Sequence, residues 1–174
     1  MMKLKKYYKN RAEQLIAMAN GIDDSEVMVN NWQNKCISSS KTFEKDYTDE
    51  TFLLKQLYDL AENVAYQLRN QGSVACVIGI TIKDSFFKTV NHQMKLKNAT
   101  NESLEIKEVA KKLFLQKWHR CDVRLLGVRV DQLITSDNYQ MSLFEDVEIR
   151  EKNIRLNQAL DNLYQKYGEK VIKK

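Results

Sequence analysis

The 174-residue chain contains two histidines, His92 and His119, and three cysteines, Cys36, Cys76 and Cys121. Acid–base or metal chemistry needs such groups to converge with carboxylates within hydrogen-bonding reach. The two histidines lie far apart in the chain. The cysteines are odd in number and widely spaced, with no C-x-x-C, so neither a zinc site nor a disulfide framework is expected. They read as small buried hydrophobes. The acidic pairs Asp23-Asp24, Asp49-Glu50 and Glu145-Asp146 fall in a polar stretch, a helix start and a loop, where solvation and capping account for them. No Walker-type glycine loop occurs. No catalytic residue and no metal ligand is expected.

Two other patterns suit binding. Gln140-Met141-Ser142-Leu143-Phe144 places an apolar pair in a polar loop, an exposed anchor of the kind that fills a partner's pocket. Gln140 could supply amide hydrogen bonds that fix its register. The second pattern is the run Val123 to Val130, which contains Arg124, Gly127 and Arg129. Together with Ser38 to Phe43 and Gly79 to Lys83, it defines a sheet face of small, hydroxylated and basic side chains. Small residues allow close approach, while hydroxyls, backbone N–H groups and Arg/Lys contact phosphates.

These residues need a scaffold, and hydrophobic periodicity predicts one. A helix runs from about Lys3 to Asn20, with Gly21 at its C-terminal cap. The polar stretch Ile22 to Lys35 reads as a tether. A strand begins at Cys36, with Ile37 and Phe43 on one side and Ser38, Ser40 and Thr42 on the other. Thr48 and Asp49 offer an N-cap for a helix over Glu50 to Asn70, whose apolar stripe is Leu53, Leu57, Leu60, Ala61, Val64 and Leu68. A strand over Ser73 to Lys83 sets Val74, Cys76, Ile78, Ile80 and Ile82 against Ala75, Val77, Gly79, Thr81 and Lys83. An antiparallel partner is expected over Phe86 to Lys95, then a helix from about Glu102 to Trp118 and a strand over Asp122 to Leu133. The order β-α-β-β-α-β predicts an α+β fold: a four-stranded sheet with two helices on one face and the other face open. A last helix over Val147 to Tyr167 follows a polar loop.

Composition is compatible with this. Lys and Arg number 28 against 23 Asp and Glu, a net charge of +5, with pI near 9.0. That excess permits contact with nucleic acid without requiring it. No apolar run approaches a membrane span, and Lys3, Lys5 and Lys6 precede no signal-type apolar core. A soluble, cytoplasmic chain without membrane association is expected.

The runs Ile37-Ser38-Ser39-Ser40-Lys41-Thr42-Phe43, Arg124 to Val130 (R-L-L-G-V-R-V) and Gln140 to Phe144 occur in this order in bacterial Y-family translesion DNA polymerases of the DNA polymerase IV and UmuC/MucB type, which the chain resembles. Ala19 to Asp23 is similar to the end of that family's thumb. The resemblance implies a thumb-helix remnant over 1–20 and a tether over 21–35. It further implies a little-finger DNA-binding domain over 36–134, a clamp-binding loop over 135–146 and a C-terminal helix over 147–174. Such a domain grips the backbones of primer–template DNA. By that likeness Ser38, Ser40, Lys41, Thr81, Lys83, Thr89, Asn91 and Arg129 are expected DNA contacts. Gln140, Met141, Ser142, Leu143 and Phe144 are expected to dock on a bacterial sliding clamp.

The family's palm motifs, an early metal-binding Asp and a later Asp-Glu pair, have no counterpart here. The resemblance thus implies no nucleotide or magnesium site, no cofactor and no polymerase activity for this chain. Met1-Met2 directly before thumb-like residues suggests truncation. Three functions fit: a DNA-gripping and clamp-tethering module for damage tolerance, the C-terminal portion of a DNA-directed DNA polymerase, and a stand-alone clamp-interacting protein.

Overall fold

The computed structural model describes residues 6–24, 35–136 and 147–168. The chain divides into two compact units, Met1–Gln33 and Asn34–Lys174. In the first, a 3-10 turn (Lys9–Arg11) leads into helix α1 (Ala12–Ala19). Lys9 at φ 42° interrupts the longer helix expected there. Gly21, at φ 73°, closes α1: its N–H donates to Met18 O at 3.0 Å and the Ile22 N–H to Ala17 O at 2.9 Å. That pair of bonds is a Schellman cap, which needs a left-handed residue at the glycine position.

The second unit runs β1 (Cys36–Tyr47), α2 (Glu50–Asn70), β2 (Ser73–Asp84), β3 (Thr89–Thr100), α3 (Ser103–Lys117), β4 (Val123–Thr135) and α4 (Val147–Tyr167). The sheet order is β1-β4-β2-β3, and all neighbours are antiparallel. The α+β fold and the βαββαβ order are as the sequence predicts. Helix α2 starts where Asp49 Oδ1 accepts the Phe52 N–H at 3.1 Å, which satisfies one of the unpaired first-turn donors. It stops at Gly72, φ 58°. All six apolar residues expected on its stripe are buried, joined by Ala65. They meet Ile78, Ile80 and Ile82 of β2, Leu126, Val128 and Val130 of β4, and Ile106, Ala110, Leu113 and Phe114 of α3 in one core.

Several expectations are corrected. β3 begins at Thr89 rather than Phe86, because Asp84 ties the preceding residues into a turn: its carboxylate accepts the Lys88 N–H at 2.8 Å. Ala75, not Cys76, joins the core at the start of β2. Cys36 and Cys121 are exposed and Cys76 half-buried, so the cysteines are not core residues. β1 continues to Tyr47, whose ring stacks on Phe52 with centroids 4.1 Å apart. Among the described residues no helix is long and apolar enough to cross a membrane.

Helix α4 is tied to the domain by charged and polar contacts. Arg69, at the end of α2, donates through Nε and Nη2 to the two carboxylate oxygens of Asp161 at 2.6 and 2.8 Å. Its Nη1 reaches Asn101 O at 3.1 Å and Ser103 Oγ at 3.0 Å. Glu62 accepts from Ser103 Oγ at 2.7 Å and pairs with Lys107. The Arg69 and Asp161 side chains are only 11% and 10% exposed, so neither charge can be left to water. A planar guanidinium suits this bidentate geometry where a lysine would not. Asp161→Ala should therefore loosen α4 by about 2 kcal/mol, the scale of a charge-assisted hydrogen bond. Hydrogen exchange should quicken over 153–163 while β2 and β4 keep their protection.

Candidate nucleic-acid interface

Strand alternation sends Ile78, Ile80 and Ile82 to the helices and Gly79, Thr81 and Lys83 to the other face. Pairing registers extend this into three rungs across the sheet. Ser38, Arg129, Gly79 and Gln93 form the first; Ser40, Gly127, Thr81 and Asn91 the second; Thr42, Leu125, Lys83 and Thr89 the third. Ser38, Ser40, Thr42, Thr89, Asn91 and Gln93 are exposed, and Thr81, Lys83 and Arg129 partly so. Seven of the eight residues expected to touch DNA therefore share one polar face.

Lys41 does not. It falls on the same side of β1 as Ile37 and Phe43, and its Nζ donates to Gln56 Oε1 of α2 at 2.7 Å. The period of two that exposes Ser40 and Thr42 turns the residue between them to the helices. Gln93 and Lys95 join the set instead. Both continue the exposed series begun by Thr89 and Asn91 on β3, and Lys95 lies opposite Val77. The same alternation is legible in the sequence once β3 is taken to begin at Thr89. It also sends His92, opposite Ile80, away from this face.

The face is shallow at its centre because two of its positions lack side chains. A Cβ at Gly127 would lie 3.2 Å from Ser40 Cβ and 3.5 Å from Thr81 Cβ; one at Gly79 would lie 3.0 Å from Arg129 Nε. The polar groups are cross-linked in the plane. Thr81 Oγ1 donates to Asn91 Oδ1 at 2.7 Å, and Arg129 Nη2 to Gln93 Oε1 at 2.6 Å. Arg129 Nε also lies 3.3 Å from Asp131 Oδ2. Arg129 is thus held flat across the gap above Gly79. With hydroxyls, amides and three cations at strand spacing, the face can donate hydrogen bonds to a line of anionic oxygens. Among the described residues no group of three or more His, Cys, Asp or Glu could hold a metal ion. Gln140 to Phe144 lie outside the described residues.

Residues 34–143 match the model of the impB/mucB/samB family C-terminal domain. The chain belongs to that family. The Y-family polymerase C-terminal domain resembled by its sequence motifs is the domain it contains. DNA polymerase IV of Clostridium acetobutylicum is 35% identical over 97% of this chain and 42% of its own length. DNA polymerase IV of Oceanobacillus iheyensis is 36% identical over 97% of this chain and 41% of its own. The chain thus spans about two fifths of the relatives it matches. A solved insertion ternary complex of Dbh DNA polymerase is similar at TM-score 0.46 and 18% identity, over 76% of this chain and 38% of that one.

In this impB/mucB/samB-type domain a Cβ at Gly127 would require Ser40 to give way by a few tenths of an ångström. Gly127→Val should destabilise the protein by roughly 1–3 kcal/mol, the usual cost of overpacking, read from the urea midpoint. Gly127→Ala should lie between it and the wild type.

Proposed function

We propose that the open sheet face holds duplex DNA without reading its sequence, and that Gln140 to Phe144 tether the domain to a bacterial sliding clamp. The observation that carries the DNA reading is the confinement of Ser38, Ser40, Thr81, Lys83, Thr89, Asn91 and Arg129 to the one sheet face the helices leave open. Phosphate contacts fix position and carry no sequence information. A face of hydroxyls, amides and the cations Lys83, Lys95 and Arg129 suits that role. Residues 36–134 are then the DNA-gripping part and 135–146 the clamp-binding loop, serving tolerance of DNA damage. Gln93 and Lys95 extend the DNA-facing residues along β3, and Lys41 is not one of them.

Binding on this reading is electrostatic. The dissociation constant should fall in the weak non-specific range, roughly 10⁻⁴ to 10⁻⁶ M at physiological salt. Lys83→Ala with Arg129→Ala should weaken duplex binding. It should also flatten the slope of log K against log salt by about 0.9 for each phosphate no longer neutralised. Fluorescence anisotropy over a salt series measures both. A salt-independent affinity would remove the phosphate-face assignment.

The clamp reading rests on the sequence of the pentapeptide. Leu143→Ala with Phe144→Ala should abolish binding to a bacterial sliding clamp in calorimetry while leaving DNA affinity within about twofold, since an apolar anchor dominates such interfaces. Retained clamp binding would rule out the pentapeptide as the anchor.

A second reading is supported by the relatives named DNA polymerase IV, which exceed this chain more than twofold in length. On it, the domain serves a DNA-directed DNA polymerase whose nucleotidyl transfer and magnesium ions belong to other domains. The chain by itself should then give no primer extension with magnesium and all four nucleotides; any extension product would overturn that.

A further inference from the structure

The turn between β2 and β3 presents two aromatic rings to solvent. Phe86 is 89% exposed and Phe87 66%, although neither position requires an apolar residue. The turn is fixed by four hydrogen bonds. Asp84 N–H donates to Lys88 O at 3.0 Å, Phe87 N–H to Asp84 O at 3.1 Å and Ser85 N–H to Asp122 O at 3.2 Å. Lys88 N–H donates to the Asp84 carboxylate at 2.8 Å. Phe87 sits at φ 63°, the left-handed position that three-residue hairpin loops usually give to glycine. A residue with a Cβ costs about 1–2 kcal/mol there. The loop therefore keeps a bulky ring in a place that a glycine would fill with less strain, and it keeps that ring outside the core.

The surroundings are cationic. The Arg124 guanidinium carbon lies 5.0 Å from the Phe87 ring centroid, and Arg124 is braced by Asp46 at 3.0 Å. Lys88 flanks the rings in sequence. Lys83, with Thr89, ends the third rung of the polar face, next to the turn. Three carboxylates are also near: Asp84 holds the turn, Asp46 holds Arg124, and exposed Asp122 adjoins the turn through its carbonyl. A rigid tip with two exposed rings among three cations has the chemistry of a stacking platform for nucleobases, in which cations track phosphates while rings take bases. An apolar protein pocket would make no use of the Arg124, Lys88 and Lys83 side chains beside the rings.

We infer that the Phe86-Phe87 tip stacks on unpaired bases of a single strand continuing from the duplex held on the polar face. This rests on the duplex-binding reading above and adds to it a preference for single-strand–duplex junctions. The rungs end at Lys83 and Thr89, so a strand running off the face in that direction reaches the tip, where unpaired bases would meet the rings.

The test uses the whole chain with two DNAs, a blunt duplex and the same duplex carrying a 5′ single-stranded overhang. Phe86→Leu keeps an apolar side chain and removes the ring. It should bind the overhang DNA about tenfold more weakly, within the range of base–aromatic stacking, and the blunt duplex within twofold of wild type. Phe86→Tyr should restore overhang binding. Irradiating wild-type complexes whose overhang carries 5-iodouracil should give a cross-link at Phe86 or Phe87. Equal binding of both DNAs by wild type and Phe86→Leu, without a cross-link, overturns the inference and leaves the tip to a protein partner. Equal weakening on both DNAs also overturns it, since the tip would then contact duplex. Lys83→Ala with Arg129→Ala separates the two readings. If its blunt-duplex affinity is unchanged, the polar-face reading fails, and with it the continuity of strand on which the stacking inference rests.

Discussion

The antiparallel ladder between β2 and β4 is the constraint on which the rest of this domain depends. It runs from Ser73 opposite Thr135 to Asp84 opposite Val123 and occupies the centre of the sheet. One side of it supplies Ile78, Ile80, Ile82, Leu126, Val128 and Val130 to the core. A slip of β4 by one residue would send Leu126, Val128 and Val130 to solvent and bring Gly127 and Arg129 under the helices. That alternative would bury the Arg129 charge and strip β4's side chains from the core. Hydrophobic burial on one face therefore selects the register, and the register assembles the polar face on the other. The polar face is a by-product of the core's demand for a single pairing.

The same ladder explains the two glycines. Where β1, β4 and β2 bring Ser40, Gly127 and Thr81 side by side, a further Cβ would sit too close to Ser40. Sheet faces that meet solvent usually carry a side chain at every rung, and these gaps lower the surface in its middle. Into one of them the Arg129 side chain is laid flat and tied to Gln93 and Asp131. An arginine held in this way has already given up much of its side-chain freedom, so less is lost when it meets an anion. The Asp131 partner also tempers its charge, which on the proposed reading suits a grip that slides along a backbone rather than locking onto one site.

Much of this is legible in the sequence. The period of the α2 stripe, the Asp49 cap and the alternation of β2 each announce an element locally, and their order implies the layered sheet. What the sequence hides depends on the third dimension. Lys41 groups with Ser38 and Ser40 by composition, although its parity on β1 places it with Ile37 and Phe43. Phe86 and Phe87 read as strand because aromatics favour strands, while the turn is decided by one carboxylate, Asp84, bonding across it. The cysteines look like core residues by type, yet two of the three lie at solvent because their positions on β1 and before β4 face outward. The Arg69–Asp161 pair spans 92 residues and has no local signature.

The arrangement along the chain bears on how weak interactions could suffice. The described sheet ends at Thr135, and the Gln140 to Phe144 motif follows within a handful of residues. On the proposed reading one short loop links a DNA-holding face to a clamp anchor. Two modest interactions joined over so short a span act as one, because the second is met at an effective concentration of roughly millimolar. A face that bound DNA tightly by itself would gain little from the tether and would resist movement along the duplex. On that reading a shallow face, a few cations and an apolar anchor close by in sequence are the combination expected where retention comes from the linkage and mobility from the weakness of each part.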